Sequence, residues 1–325
     1  MPQRVLITGV QSSLGRAVLR AFRERAQRQG AGVHVTGTGR SSQVDPQVAA
    51  ALDVYAPCDL TNPHDVENLV AVVRPQMIYH LARVGLASHA VDDPWCEQVA
   101  LASMARAAQA HAASLPVRIV AAGSAAELGL LTEADLPVTE AYPCQPVSTY
   151  GWQKLHQTRW AYQEGRGPIE IVIARIFNLV GPYLSATCAP GRFARELAAL
   201  PPGSQTEIRC GSLAPRRDFI DVRDAAVAML DLAEHGMPGE VYNVCCGHSH
   251  SMWEVCQMIE AAAQVRVRWL EDAALARGND LPDVRGDFSK LRNLTSWQPR
   301  VSLQQSLQDL VTSIRPSPER LAKSA

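Results

Sequence analysis

Short apolar runs alternate with longer amphipathic stretches through the first half of the chain. Residues 4–8, 33–36, 77–82, 117–122 and 169–176 are of strand length and rich in Val, Ile and Leu. Such runs mark strands buried on both faces of a parallel sheet. Cys58-Asp59-Leu60-Thr61 closes a further strand between the second and fourth. Between the runs, apolar residues return at helical spacing: Leu14, Ala17, Val18 and Phe22, then Val66, Leu69, Val70 and Val73, then the alanine-rich stretch 97–113. Regular alternation of strand and helix predicts an α/β fold with a doubly wound parallel sheet. After residue 176 the alternation breaks and glycine, proline and arginine rise. Short strands are expected at 207–210, 216–221, 241–244 and 265–270, with helices at 222–233 and 251–263. The expectation is a smaller mixed α/β C-terminal lobe that receives the chain in more than one pass. Its bounds are 177–218 and 247–315, against a sheet domain of 1–176 with a returning segment near 219–246, and 316–325 form a tail.

The first strand runs into Gly9, Ser12, Ser13, Leu14 and Gly15, which open a helix. Strand, glycine turn and helix N-terminus together make a phosphate cradle, because backbone N–H groups face the anion and glycine lets it approach. Ser12 stands where the motif carries its central glycine, so the loop requires a negative φ there. A dinucleotide is therefore the expected ligand. The second strand ends in Gly37-Thr38-Gly39-Arg40, without the acid that grips a ribose 2′-hydroxyl. A guanidinium at that place suits a 2′-phosphate, so NADP(H) is favoured and NAD(H) stays possible. A solvated loop arginine is the plain alternative. Asp59, followed by Leu60, could reach the adenine amino group, and Leu81 and Ala82 end the fourth strand over the cofactor. His80 reads as structural.

Tyr150 and Lys154 lie four apart, hence on one face of a helix that Ser148 can cap. An ammonium one turn from a phenol favours the phenolate and makes the tyrosine a usable proton donor and acceptor. The chain has 31 basic residues but only three lysines, Lys154, Lys290 and Lys323, so the pairing is not a product of lysine abundance. The fifth strand ends at Gly123-Ser124, where a hydroxyl would open onto the same site.

Composition narrows the classes. With 325 residues, 47% of them hydrophobic, the chain can bury a large core. A net charge of −1 gives no reason to expect nucleic acid or a membrane surface as partner. Eight cysteines without a C-x-x-C pair read as reduced thiols of a cytoplasmic protein. His248 and His250 form an H-x-H with no matching cluster, so no metal site is expected.

The series Thr8-Gly9…Gly15, Asp59, His80-Leu81-Ala82, Ser124, Tyr150-x-x-x-Lys154, Arg175-x-Phe177-Asn178, Arg217-Asp218-Phe219, Tyr242-Asn243-Val244, Gly286-Asp287-x-x-Lys290 and Trp297-x-Pro299 resembles the extended short-chain dehydrogenase/reductases. The resemblance implies a Rossmann-type dinucleotide domain and a nucleotide-sugar lobe. It also implies a homodimer through a four-helix bundle, built here from 97–113 and 149–164. It assigns catalysis to Ser124, Tyr150 and Lys154, with Lys154 also holding the nicotinamide ribose. Asn178, Arg217 and Arg277 are the implied substrate ligands, the two arginines as a diphosphate clamp.

In members that dehydrate sugars, an acid two positions past the catalytic hydroxyl is the base. Here that position is Ala126, next to Ala125, and an alanine exchanges no proton. Glu127, one position later, reads as structural. The pieces Gly123-Ser124-x-x-Glu127-x-Gly129, Arg217–Asp224 and Tyr242–Cys245 look most like reductases of GDP-4-keto-6-deoxymannose, which form GDP-D-rhamnose. Leu128 stands where a tyrosine is common, and Val99 where an asparagine often stands. The implied activity is NADP(H)-dependent reduction of a nucleotide-linked 4-keto-6-deoxyhexose. A 4-epimerase with bound NAD, a ketoreductase of a substrate without a nucleotide, and a non-catalytic dinucleotide-binding protein remain open.

Overall fold

A computed structural model of the chain describes residues 2–83, 93–111, 116–275 and 281–315. In chain order the first half runs β1 (Gln3–Thr8), α1 (Ser13–Gln29), β2 (Val33–Gly39), α2 (Pro46–Ala50), β3 (Val54–Pro57), α3 (Pro63–Val73), β4 (Met77–His80), α4 (Cys96–His111), β5 (Val117–Ser124), α5 (Thr149–Glu164) and β6 (Ile169–Ile176). The second half is β7 (Asn178–Val180), α6 (Ala189–Ala198), β8 (Gln205–Cys210), β9 (Arg216–Asp221), α7 (Val222–His235), β10 (Val241–Val244), β11 (Ser249–Ser251), α8 (Met252–Ala263), β12 (Arg266–Glu271), β13 (Asp283–Val284), α9 (Ser289–Thr295) and α10 (Leu303–Ile314).

Seven strands form one parallel sheet in the order β10-β6-β5-β4-β1-β2-β3. Alternate residues of each strand feed opposite layers, as the period of two requires. Val5, Ile7, Tyr79, Val120, Val172 and Ala174 pack with α1 and α7, through Val18, Phe22 and Met229. Leu6, Ile78, Ile119, Ala121, Ile171 and Ile173 pack with α3 and α4, through Val66, Leu69, Leu101 and Met104. Both faces are therefore covered, which is why these strands read as continuous apolar runs. The chain leaves β1 outward to β2 and β3, then returns to β4 on the other side. The strand order reverses between β1 and β4, and a crevice opens there at the carboxyl ends.

Most strand limits lie within two residues of the sequence reading, and two strands depart further. β2 runs on to Gly39, and the third strand lies at Val54–Pro57, so that Cys58–Thr61 is the turn after it. The turn has a local cause: the Asp59 carboxylate accepts from both the N–H and the hydroxyl of Thr61, at 3.0 and 2.8 Å. An aspartate that satisfies the backbone two residues on ends a strand.

The remaining elements build a second layer beside the carboxyl edge of the sheet. β9 is flanked by β11 and β13 and also pairs with β7, while β12 and β8 make a two-stranded parallel ribbon. Their core joins Phe193 and Leu197 of α6, Val255 and Ile259 of α8, and Leu307, Leu310 and Val311 of α10. β10 returns to the large sheet, pairing Val241–Val244 with Ile173–Ile176. A junction of Leu128, Val138, Phe177, Cys245 and Val284 fills the space between the two cores. All eight cysteines are free thiols. Among the described residues no helix is long and apolar enough to cross a membrane.

Candidate active site

The glycine turn after β1 is built as its sequence requires. Gly9 has φ of 64°, and a Cβ there would lie 2.8 Å from the Ala82 backbone, so only glycine lets the ends of β1 and β4 approach. Ser12 takes φ of −68° and meets the condition set for it. Its hydroxyl caps α1 by accepting from Gly15 N at 3.0 Å. Ser13 gives its hydroxyl to the Pro182 carbonyl at 2.6 Å, and Leu14 is buried in the core. From these two positions it is the backbone N–H groups at the helix start that remain to meet an anion.

Thr8 ties the two strands below this turn. Its Oγ1 accepts from Leu81 N and Ala82 N at 3.0 and 3.1 Å and contacts His80 Nδ1 at 3.1 Å. With both lone pairs used, the hydroxyl proton points at Nδ1, so His80 carries its own proton on Nε2. Burial pushes the His80 pKa down to about 4, and the ring is neutral at physiological pH. His80 braces Thr8 behind the crevice and does not line it.

Above it lies a cavity of about 320 Å³ lined by Gly9, Gln11, Ser12, Gly39, Arg40, Ser41, Cys58, Asp59, Leu60, Thr61, Leu81, Ala82 and Arg83. It gathers seven of the predicted cofactor residues. Gln11, Ser41, Thr61 and Arg83 were not predicted. Gln11 fastens the loop after β2, accepting from Asp45 N and donating to the Gln43 carbonyl, both at 2.9 Å. Tyr55 helps by donating to the Ser41 carbonyl at 2.7 Å. Arg40 and Ser41 thus stand on a braced loop at the end of the crevice, as a phosphate site needs. A larger cavity of about 590 Å³, lined by Pro2, Arg4, His34 and Val72 among others, lies at the other end of the strands and contains none of the candidate residues.

Ser124 ends β5, and Tyr150 and Lys154 sit on α5. Two features press α5 against the end of β5. Gly151 packs so closely that a Cβ would lie 2.4 Å from the Ala126 carbonyl oxygen. Lys154 reaches under the helix to the Ala122 carbonyl at 3.0 Å. Ser148 caps the helix, accepting from Gly151 N at 3.1 Å, as expected. Tyr150 and Ser124 are both partly exposed, whereas Lys154 is buried.

The environment of Lys154 holds a feature that sequence reading missed. Its ammonium donates to Glu97 Oε2 at 3.0 Å, to Ala122 O at 3.0 Å and to Gln157 Oε1 at 3.1 Å. All three protons of the ammonium thus have acceptors inside the protein. Burial opposes the charge, but Glu97, Tyr150 and Glu127 outweigh it, and the lysine is held above its ordinary pKa. Glu97 is fully buried. Its position in an alanine-rich helix gave no sign of this, because a glutamate near a helix start reads as a solvated favourable charge.

Glu127 is turned away from the site. It is fully buried, accepts from Ser124 N at 2.9 Å through Oε1, and pairs with Arg175 Nε at 3.3 Å through Oε2. Both of its oxygens are engaged in holding the Ser124 turn.

A second cavity, about 490 Å³, lies between α6, β9 and the end of the large sheet. It brings together Asn178 and Arg217 with Arg83, Arg192, Thr187 and Ser212. Asn178 starts β7 and donates to the Asp218 carbonyl at 3.0 Å; Arg217 donates to the carbonyls of Arg216 and Leu281, each at 2.7 Å. Three guanidinium groups around one cavity suit an anionic ligand such as a diphosphate. Arg277 lies outside the described residues. Asp218 is buried beneath this cavity and accepts from the N–H groups of Cys246, Gly247 and Gly286 at 2.8, 2.8 and 3.3 Å. Burial pushes its pKa up to about 6 against these bonds.

A crevice at the strand-order reversal and a glycine turn on a helix N-terminus, with Ser124 at the end of β5 and Tyr150 and Lys154 on the helix pressed against it, mark an NAD(P)-dependent oxidoreductase of the extended short-chain dehydrogenase/reductase type. The chain belongs to the NAD dependent epimerase/dehydratase family, whose model matches residues 5–245. It is similar to the GDP-6-deoxy-D-mannose reductase of Pseudomonas aeruginosa, 29% identical over 272 residues that cover 81% of this chain and 88% of that one. Its fold matches RMD from Pseudomonas aeruginosa complexed with NADPH, with a TM-score of 0.75, 24% identity and coverage of 96% and 99% of the two chains. It matches equally the Thermus thermophilus UDP-glucose 4-epimerase in complex with NAD, with a TM-score of 0.78, 22% identity and coverage of 97% and 100%.

Proposed function

We propose that the protein is a nucleotide-sugar enzyme that uses NADPH to reduce the C4 ketone of a nucleotide-activated 4-keto-6-deoxyhexose to the alcohol, of the type that forms GDP-D-rhamnose. The observation that carries this reading is the setting of Ser124, Tyr150 and Lys154 beside Ala125 and Ala126, with Glu127 locked to Arg175. The hydroxyl set for moving a proton at a carbonyl is complete, while Glu127, the acid that follows Ser124, has both oxygens engaged inside the protein, on Ser124 N and Arg175 Nε. Reduction needs the first and elimination needs the second.

The residues of the 320 Å³ crevice fit a dinucleotide. The N–H groups of Ser13 and Leu14 would hold its pyrophosphate at the turn that Ser12 and Gly15 close, Asp59 and Leu60 would border the adenine, and Leu81 and Ala82 would floor the crevice. Arg40 and Ser41 would take a 2′-phosphate, which favours NADP(H) over NAD(H). A bound nicotinamide supplies the hydride. Tyr150 gives its phenolic proton to the developing O4 alkoxide, and Ser124 donates a hydrogen bond to the same oxygen. Lys154 fixes α5 through Ala122 and Glu97 and so sets where Tyr150 stands. Arg217, with Arg192 and Arg277, would clamp the substrate diphosphate, and Asn178 would border the sugar. On this reading residues 1–176 bind the dinucleotide, and 177–218 with 247–315 bind the nucleotide sugar.

We also infer a homodimer through α4 and α5. Trp95, Val99, Trp152 and Tyr162 are 50%, 44%, 40% and 57% exposed beside this helix pair, an apolar strip that a second copy would cover. A cytoplasmic setting suits eight free thiols.

The test is cofactor consumption. Purified protein is given NADPH or NADH with GDP- and dTDP-linked 4-keto-6-deoxyhexoses, and the reduced-nicotinamide absorbance is followed. Stoichiometric oxidation with at least one sugar, faster with NADPH, is expected. Tyr150→Phe should lower kcat by about 10²–10⁴-fold. No oxidation with any of these sugars, together with tightly bound NAD and interconversion of a nucleotide hexose, would instead make the protein an epimerase.

A further inference from the structure

Arg83 follows the Leu81-Ala82 end of the fourth strand and belongs to none of the motifs. It is exposed and lines both the dinucleotide crevice and the cavity of Asn178 and Arg217. Its guanidinium carbon stands 4.2 Å from the centre of the Tyr150 ring. A cation within about 6 Å of an aromatic face is attracted to it, and a planar guanidinium can also stack there.

Among the described residues, the buried charges of this layer are matched. Lys154 is paired with Glu97 at 3.0 Å, both buried, so much of its positive field cancels at Tyr150 one turn away. Glu127 is paired with Arg175 at 3.3 Å, also buried. His80, behind this layer, is neutral. Arg83 therefore adds net positive charge on the open side of the tyrosine.

We propose that Arg83 is a positioning residue of the catalytic centre: stacked on Tyr150, it fixes the phenol at the junction of the two cavities and supplies the positive charge that Glu97 takes from Lys154. The proposal rests on Tyr150 as the proton donor of the function above. When the phenol has given its proton to the substrate oxygen, the phenolate left behind faces Arg83. A unit charge about 5 Å away, screened to a degree between that of a protein surface and that of bulk water, moves such a titration by roughly one pH unit.

The test uses the full-length protein without substrate. Ultraviolet difference absorbance follows phenolate formation with pH, and the Tyr150→Phe variant is subtracted to isolate Tyr150. Arg83→Gln should raise the midpoint by roughly one pH unit, and Arg83→Lys, which keeps the charge but loses the planar stack, by a few tenths. Glu97→Gln should lower the midpoint by releasing the field of Lys154. Added to Arg83→Gln, it should bring the midpoint back toward wild type. An unchanged midpoint in Arg83→Gln overturns the proposal, as does a double variant that behaves like Arg83→Gln alone. In turnover, the basic limb of the pH profile should move with the titration, while loss of kcat at a fixed limb would mean a packing role only. Should the titration behave as expected while no ketosugar is reduced, the functional reading fails and the role of Arg83 stands.

Discussion

Replacing Glu127 separates reduction from elimination better than any other single change. In the structure its carboxylate is fully buried, with one oxygen on Ser124 N at 2.9 Å and the other on Arg175 Nε at 3.3 Å. Arg175 is itself 3% exposed, and its Nη1 has no partner among the described residues. Glu127→Ala therefore leaves a buried guanidinium without its counter-charge. Removing one partner of a buried ion pair costs about 3–5 kcal/mol, and the lost capping bond adds about 1 kcal/mol. Urea unfolding followed by circular dichroism should show a loss in that range, with the midpoint shifted and the slope kept. Reductase activity per folded molecule should fall far less than in Tyr150→Phe, because the acid touches no reacting atom. The opposite pattern would refute the reasoning: stability within about 1 kcal/mol of wild type, with activity abolished, would make Glu127 a proton-transfer group facing substrate.

Three further outcomes follow from the same geometry. The neutral His80, with its pKa pushed down to about 4 from an ordinary 6.5, binds fewer protons folded than unfolded below pH 6.5. Its contribution is complete above pH 6.5 and is lost as pH falls toward 4, by about 3 kcal/mol in all, so His80→Asn should flatten the acid limb of the stability profile. Arg40→Ala should raise KM for NADPH by about 10–100-fold while sparing NADH, the value of one or two charge-assisted bonds to a phosphate; equal effects on both cofactors would remove Arg40 from the 2′-phosphate site. A glutamate at Trp152, 40% exposed on the α4–α5 face, should turn a dimer into a monomer in sedimentation.

The parts of this fold that were legible are those where a single local rule decides. Residues 169–176, 216–221 and 241–244 are short, mostly buried runs between turn signals, and the strands have those limits. α5 starts where its serine cap places it. Elements decided by tertiary contact were not read. β7 has three residues and exists because Asn178–Val180 lies against Phe219–Asp221. α2 is five residues held by an aspartate cap and a proline. α10 was missed although Leu303, Leu307, Leu310 and Val311 recur at helical spacing, a signal the chain does carry.

The site divides in the same way. Gly9, Ser12, Arg40, Asp59, Leu81 and Ala82 share one crevice because the topology brings the carboxyl ends of adjacent strands together, and a sequence of motifs in order carries that information. Asn178 and Arg217 share the second cavity for a related reason, through β7 pairing with β9. Glu97, Arg83 and Arg192 had no such signal. Each lies in a stretch whose composition suits a surface, and only the packing of α4 under α5, or of one cavity against the other, turns them toward the chemistry. The Lys154–Glu97 pair is the clearest case, since two residues 57 apart meet in a core that neither advertises.

The central claim, net hydride transfer to C4 of a nucleotide-linked ketosugar, is tested most directly with deuterium. Purified protein is incubated with NADPH bearing deuterium at the transferable position and a GDP-linked 4-keto-6-deoxyhexose, and the sugar is analysed by NMR and mass spectrometry. One deuterium fixed at C4, with one NADPH consumed for each alcohol formed, is the expected result. A sugar that changes configuration without label and without consuming NADPH would contradict it.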